Sequence, residues 1–247
     1  MLKNVEKTVN DLTEWIRDYF EKNAKGCSAV IGISGGKDSS VTAALMVRAL
    51  GRERVIGVLM PDGEQPDIAD SMALVDHLQI RHLVVNIGDA TKALKKCLED
   101  SGSVITSDVR INIPPRIRMT TLYAVAQGLE GGGRVINTCN RSEDYIGYST
   151  KFGDSAGDMS PLAMLTVTEV RQIGDFIGLP EELVHKTPSD GLSGMSDEDK
   201  IGFSYDILDK YIETGICEDE MIKVKIDRMH VSNLHKLELM PHFTPAE

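Results

Sequence analysis

The stretch that decides the fold lies near the N terminus and reads Ala29-Val-Ile-Gly-Ile-Ser-Gly-Gly-Lys-Asp-Ser-Ser40. Residues 29–33 form a short, almost wholly apolar run, which is typical of a strand buried on both faces of a parallel sheet. A glycine-rich turn follows, and residues 40–50 then have the pattern of a helix that ends at Gly51. A strand, a glycine turn and a helix in this order predict an α/β fold with an anion site at the turn.

Strands and helices continue to alternate outward from this stretch. Apolar runs predict three more strands, at residues 54–60, 82–87 and 135–138. Helical patterns occupy residues 3–23, 68–78, 91–98, 116–129, 166–178 and 197–213. Three stretches look irregular, namely the residues around Pro114 and Pro115, residues 141–161, and the tail from Asn233. We therefore expect a doubly wound, mainly parallel sheet flanked by helices, in a single domain spanning residues 1–247.

The predicted topology also locates a site. In a doubly wound sheet the ligand lies at the carboxyl ends of the strands, near the point where the strand order reverses. The glycine turn follows the first predicted strand, and Asn137–Glu143 follows the fourth. We expect both segments at that edge of the sheet.

Composition excludes several classes of protein. The 247 residues are 41% hydrophobic and 26% charged, as in a globular enzyme, and the net charge of -11 disfavours binding to a phosphate backbone. No apolar stretch approaches the roughly 20 residues that span a bilayer. The cysteines form no CxxC pair, so we expect reduced structural thiols rather than zinc ligands or disulfides; they are Cys27, Cys97, Cys139 and Cys217. These features predict a cytoplasmic enzyme that binds neither nucleic acid nor membrane.

The glycine turn differs from two common phosphate-binding patterns. Asp38 stands where GxxxxGK[ST] needs Ser or Thr, and the glycines lack the spacing of GxGxxG. Adjacent Gly35 and Gly36 allow positive φ, so backbone amides and the positive end of the next helix can face an anion. Asp38 is a plausible Mg²⁺ ligand beside phosphate. The alternative is an N-capped helix entered through a glycine turn.

A family resemblance follows from these residues. Ser34-Gly-Gly-Lys-Asp-Ser39 resembles the loop of ATP pyrophosphatases, which cleave ATP between its α and β phosphates and activate substrates as adenylates. Several later segments, in order, resemble ammonia-dependent NAD synthetases: Asn112-Ile-Pro-Pro-Arg116, Asn140-Arg-Ser-Glu143, Gly147-Tyr-Ser-Thr-Lys151, Gly157-Asp158, Lys186-Thr-Pro-Ser189, Asp197-Glu-Asp199 and His235-Lys236. The resemblance implies an adenine nucleotide α-hydrolase-like, Rossmann-like fold and a homodimer that amidates deamido-NAD to NAD, using ATP and ammonia and releasing AMP and pyrophosphate.

The resemblance also implies roles for individual residues. It assigns ATP binding to ten of them: Gly32, Ile33, Ser34, Gly35, Gly36, Lys37, Asp38, Ser39, Thr138 and Ser189. It assigns deamido-NAD binding to seven: Asn112, Arg116, Tyr148, Lys151, Asp158, His235 and Lys236. It makes Asp38 and Glu143 the Mg²⁺ ligands, and it gives catalytic roles to Asp38, Glu143 and Lys151.

One position departs from the family pattern. Val167 stands where the family usually has a lysine near the phosphates, and Lys37, Lys186 or Arg171 are the candidates to compensate. This departure keeps open the alternative of a nucleotide-binding regulatory protein without turnover. Another alternative is an ATP pyrophosphatase acting on tRNA or a different nucleotide, which the acidic composition disfavours.

Overall fold

Four short strands form one parallel sheet, with the first strand beside the last. The computed structural model describes residues 1–64, 68–185 and 196–245. The strands, in the order β3-β2-β1-β4, are β1 (Ser28–Gly32), β2 (Val55–Leu59), β3 (Arg81–Val84) and β4 (Gly133–Val135). Val30 of β1 lies opposite Ile56 on one side and Val135 on the other. The strand order reverses between β1 and β4, so the turns after these two strands meet.

Helices cover both faces of the sheet, in agreement with the doubly wound prediction. Those before β4 are α1 (Val5–Asn23), α2 (Lys37–Leu50), α3 (Ile68–Leu78), α4 (Gly88–Asp100) and α5 (Ser107–Gln127). Those after it are α6 (Arg141–Ile146), α7 (Val167–Phe176), α8 (Glu181–Val184), α9 (Asp197–Ile201), α10 (Tyr205–Thr214) and α11 (Glu220–Asn233). Two 3-10 turns span Arg52–Arg54 and Leu234–Lys236. No helix in the described ranges is long and apolar enough to cross a bilayer.

Alternate residues of β1 face two different cores. Ala29 and Ile31 pack in a cluster with buried residues of α1, α2 and α7, whereas Val30 packs in a second cluster with buried residues of α5. This alternation is the period-2 pattern of a strand covered on both faces. A third cluster joins α6, α9, α10 and α11 around buried Tyr205 and lies beside the carboxyl end of the sheet.

The prediction of an irregular stretch around Pro114 and Pro115 was wrong, because α5 runs through both prolines. A proline inside a helix removes a backbone hydrogen bond and costs about 3 kcal/mol. Here the helix buries Ile113 and Pro114 and packs Met119 and Leu122 against strand residues, and this burial offsets the cost. Tertiary packing therefore overrides the local signal.

Four other elements also differ from the predictions. The predicted irregular stretch 141–161 contains α6, and the predicted helix 197–213 is two helices separated at Gly202, whose φ is +78°. Helix α11 was not predicted, and its last turn enters the tail that looked irregular. The fourth strand ends at Val135 rather than at residue 138, so residues 136–140 are a turn that reaches α6.

Candidate active site

The N terminus of α2 lies at the end of β1, and the described side chains leave it uncapped. Gly35 has a φ of +78°, which lets the chain turn sharply, and Gly36 caps α2 without a side-chain hydrogen bond. The first-turn amides of Lys37, Asp38 and Ser39 donate no hydrogen bond to any described residue. Free amides at the positive end of a helix are suited to phosphate oxygens. The hydroxyls of Ser34 and Ser39 lie 3.1 Å apart in this loop.

Two carboxylates and one lysine meet beside this helix end. The Lys37 ammonium is buried, 2.7 Å from the Asp38 carboxylate and 3.9 Å from the Glu143 carboxylate. Asp38 follows β1 and Glu143 follows β4, so the reversal in strand order brings them together. The prediction that the segments after the first and fourth strands lie at the same edge of the sheet is therefore confirmed.

Asn140 connects the two segments, and sequence reasoning gave it no role. Its side-chain oxygen accepts hydrogen bonds from the amides of Ser142 and Glu143, which caps α6. Its side-chain nitrogen donates to the Asp38 carboxylate over 3.0 Å. The spacing of Asn140 and Glu143 is that of a capping box, so the signal was present in the sequence.

Burial and like charge perturb the acid groups of this cluster. Burial, followed by repulsion from Asp38, raises the pKa of Glu143 to about 8 despite the attraction of Lys37. Burial lowers the pKa of Lys37, but the attraction of Asp38 and Glu143 outweighs burial, so this pKa is raised. Two carboxylates that repel each other at one site are typical of a place that accepts a cation.

The residues present fit a magnesium ion shared with phosphate. Mg²⁺ uses one or two protein carboxylates and takes its other ligands from water and phosphate oxygens. Asp38 and Glu143 supply such a pair beside the open amides of α2. The described residues contain no group of three or more His, Cys, Asp or Glu side chains that could hold a metal.

The buried carboxylate of Asp209 holds α6 in place. The Asp209 side chain accepts hydrogen bonds from the Ser142 hydroxyl on one oxygen, and from the amide and hydroxyl of Thr168 on the other. Ser142 directly precedes Glu143 and also accepts a hydrogen bond from the amide of Val167. This network ties α6, α7 and α10 together, and sequence reasoning missed it because its members lie far apart in the chain.

Tyr205 packs beside Lys37, and sequence reasoning gave it no role. Its side chain is 1% exposed, and the Lys37 ammonium lies 5.7 Å from its ring centroid. Its hydroxyl has no hydrogen-bond partner in the described part of the chain. Burial, followed by the charge of Glu143, raises the pKa of Tyr205, so its hydroxyl keeps its proton.

We expect Tyr205→Phe to raise the free energy of unfolding by about 1 kcal/mol, because a buried polar group without a partner is destabilising. The matched control is Tyr211→Phe on the same helix, whose hydroxyl donates to Asp227 over 2.6 Å. Loss of that hydrogen bond should lower stability by about 1 kcal/mol. Urea unfolding of both variants measures the two shifts. Equal destabilisation by both would contradict the assignment of an unpaired hydroxyl.

Four residues assigned to the dinucleotide lie together around the segment that follows α6. The Arg116 guanidinium donates to the Lys151 carbonyl, and the Lys151 ammonium donates to the His235 carbonyl. The Lys236 ammonium donates to the carbonyls of Gly147 and Ser149. The structure thus brings α5, the turn after α6 and the C-terminal 3-10 turn into one cationic cluster.

The other assigned residues are more scattered. Asn112 accepts a hydrogen bond from Thr150, and Tyr148 donates to Asp197, so both lie near the ends of that cluster. Asp158 is exposed and accepts a hydrogen bond from the amide of Val135 at the edge of β4, apart from the cationic cluster. Thr138 is partly buried in the turn after β4. Ser189 lies outside the described residues.

The departure at residue 167 is part of the apolar core. Val167 is fully buried in the cluster that contains Ile146, Ile201 and Tyr205. Of the three cations that the sequence offered in compensation, Lys186 lies outside the described residues, and Lys37 is engaged by two carboxylates. Arg171 lies one turn further along α7.

Comparison with known proteins identifies the family. Residues 8–244 match the family described as NAD synthase. The chain is 38% identical over 240 residues to the NH(3)-dependent NAD(+) synthetase of Carboxydothermus hydrogenoformans, and the match covers 96% of each chain. The structure resembles NMN synthetase from Francisella tularensis, with a TM-score of 0.88 and 32% identity over 98% of each chain. It also resembles NH3-dependent NAD synthetase from Campylobacter jejuni, with a TM-score of 0.79 and 25% identity over 99% of this chain and 100% of that one.

These matches agree with the resemblance found in the motifs, and they extend over nearly all of the chain. They favour a ligase over a regulatory protein that binds nucleotide without turnover. The chain therefore belongs to the NAD synthase family, whose members are ligases that form a carbon–nitrogen bond.

Proposed function

We propose that this chain amidates deamido-NAD to NAD with ammonia, at the expense of ATP. The observation that carries the proposal is the meeting of Asp38 and Glu143 beside the open N terminus of α2. Amides there are suited to bind phosphates, and the two carboxylates are suited to hold the cation that accompanies them. The relatives named as NH(3)-dependent NAD(+) synthetases support deamido-NAD and ammonia as the other substrates.

The proposed chemistry has two steps. An oxygen of the nicotinate carboxylate attacks the α-phosphorus of ATP, and the bond from that phosphorus to the bridging oxygen breaks, releasing pyrophosphate. The nitrogen of ammonia then attacks the activated carbonyl, the bond from that carbon to the AMP oxygen breaks, and the nitrogen loses a proton. The products are NAD, AMP and pyrophosphate. Because two anions must meet in the first step, positive charge and positioning carry the catalysis.

Two groups of residues serve the two substrates: the α2 loop with Asp38 and Glu143 binds ATP, and the cationic cluster binds the dinucleotide. Amides of the α2 loop orient the triphosphate, and Asp38 and Glu143 hold Mg²⁺, which supplies charge neutralisation at the phosphates when bound. Lys151 belongs to the cationic cluster, which faces the anionic dinucleotide. The turn Gly147–Lys151 connects this cluster to α6, so the two binding regions share one short segment.

A second candidate substrate is nicotinate mononucleotide. The structural relative from Francisella tularensis is named an NMN synthetase, and its TM-score and identity exceed those of the Campylobacter jejuni NAD synthetase. The chemistry at the carboxylate is the same for both substrates. They differ in the adenylyl half, which needs its own binding surface.

The test is AMP formation from ATP, Mg²⁺ and ammonium with each acceptor. We expect AMP and the amidated product in equal amounts with deamido-NAD, and little activity when glutamine replaces ammonium. A kcat/KM at least tenfold higher with nicotinate mononucleotide would assign the second candidate instead. ATP binding without AMP formation from either acceptor would contradict the proposed reaction, and equal rates with glutamine and ammonium would contradict the choice of nitrogen donor.

We further propose that the chain works as one catalytic unit in a cytoplasmic homodimer. Exposed apolar side chains at the start of α5 and just before it, Ile111 and Val104, are 66% and 78% exposed. Burial of such residues against a second copy would favour association. Sedimentation of the purified protein at micromolar concentration measures the oligomeric state.

A further inference from the structure

The guanidinium of Arg171, on α7, has a buried donor that no described residue satisfies. Arg171 is partly buried on α7, and its Nε atom is buried with no hydrogen-bond partner. No described carboxylate lies within ion-pair distance of this side chain. A buried donor of a charged group that stays unsatisfied is costly, so a natural protein that keeps one usually has a ligand for it.

Packing of α7 against α2 places this guanidinium near the start of α2. A Cβ atom added to Gly174 would lie 3.1 Å from Val41, which shows how closely the two helices approach. Arg171 precedes Gly174 by one turn of α7, and Lys37 precedes Val41 by one turn of α2. The starts of the two helices also lie on the same side, because Val167 of α7 packs in one cluster with Tyr205, whose ring centroid is 5.7 Å from the Lys37 ammonium.

The two helix starts differ in whether their amides are free. At α7 the amides of Val167, Thr168 and Glu169 donate to Ser142, Asp209 and Thr166, respectively, so this helix end is fully capped. At α2 the first three amides have no partner among described residues. The unpaired hydroxyl of Tyr205, which is 1% exposed, lies on the same side as Lys37. Amides and a guanidinium that have no partner among the described residues therefore lie near the N terminus of α2, and all of them favour an anion.

We propose that the Arg171 guanidinium binds the pyrophosphate portion of ATP at the N terminus of α2. Lys37 is held by Asp38 and Glu143, whereas Arg171 has no carboxylate partner among the described residues and can therefore turn its charge to a ligand at the start of α2. Its planar fork matches two phosphate oxygens, and pyrophosphate carries more charge per atom than any other part of the substrates. This inference rests on the proposed function, because it takes ATP to be the nucleotide.

The experiment measures binding of pyrophosphate and of AMP, each with Mg²⁺, by calorimetry. In Arg171→Met we expect the Kd of pyrophosphate to rise about 10- to 100-fold, which corresponds to the loss of hydrogen bonds to a charged group. The Kd of AMP should change less than twofold. Arg171→Gln, which is also neutral, should show the same changes in the two Kd values. It serves as the test if Arg171→Met does not fold. Arg171→Lys should recover part of the affinity.

The matched control is Arg48→Met, which removes one charge from the last turn of α2, roughly 16 Å away. It should bind pyrophosphate like the wild type. Unchanged pyrophosphate affinity in the neutral Arg171 variants would overturn the inference, and so would equal weakening of AMP and pyrophosphate or absence of pyrophosphate binding by the wild type. Failure of the proposed function is seen separately, as a wild-type protein whose pyrophosphate binding depends on Arg171 but which forms no AMP.

Discussion

Asp38→Asn should reduce release of pyrophosphate and AMP about a thousandfold, the upper end of the cost of removing one electrostatic group from an active site. The Asp38 carboxylate is a ligand in the proposed magnesium site, and an amide carries no charge to hold the cation. The fold should survive, because Glu143 remains 3.9 Å from the buried Lys37 ammonium. We expect a loss of about 1–3 kcal/mol in the free energy of unfolding, the cost of one charged hydrogen bond.

The matched control is Asp144→Asn, which makes the same chemical change one residue after Glu143. Asp144 contacts neither Lys37 nor Asp38 through any described hydrogen bond or ion pair, and its variant should keep activity within about twofold of the wild type. Glu143→Gln should match Asp38→Asn in activity. Wild-type turnover in Asp38→Asn, with circular dichroism showing a folded protein, would remove this carboxylate from the mechanism.

The order of elements along the chain was sufficient to predict the fold. Apolar runs separated by helical patterns predicted the parallel sheet. A strand that is buried on both faces must be almost wholly apolar, so such strands are recognisable in the sequence. The order of the strands was not predictable, since strand neighbours are set by packing between distant segments. Only the structure shows that β1 and β4 are adjacent, which is what brings Asp38 and Glu143 together.

The candidate site divides in the same way. Asp38 and Glu143 were predicted because the loop and the later motifs carry local signals and a family resemblance. Tyr205 and Asp209 were not, because nothing nearby in the sequence distinguishes a buried tyrosine under a lysine from an ordinary core residue. In α5 the error was the opposite. Two prolines were a strong local signal for irregular structure, and tertiary burial of the helix overrides that signal.

Gly35→Ala should lower ATP-dependent turnover at least about 100-fold, by moving the loop amides out of position. An added Cβ would lie 2.7 Å from the Cβ of Asp70 and 2.9 Å from the amide nitrogen of Ser71, so α3 or the loop must shift. The positive φ adds roughly 1–2 kcal/mol of strain for a residue with a side chain. The rate of AMP formation measures the loss of turnover, and urea unfolding measures the strain.

The glycines at the two ends of α2, Gly36 and Gly51, distinguish backbone strain from steric contact as causes of the Gly35→Ala effect. Gly51 ends α2 with a φ of +81° and nothing within 4 Å of an added Cβ, so Gly51→Ala should cost only the strain and leave turnover unchanged.

Gly36 has a φ of −88°, and an added Cβ would meet only the Ser34 hydroxyl at 3.5 Å. Glycine there serves neither an unusual φ nor close packing against any described residue. Gly36→Ala should therefore keep stability within about 1 kcal/mol of the wild type but weaken ATP binding, because its methyl group stands where phosphate approaches the backbone. Unchanged ATP affinity in Gly36→Ala would mean that the nucleotide does not approach this turn.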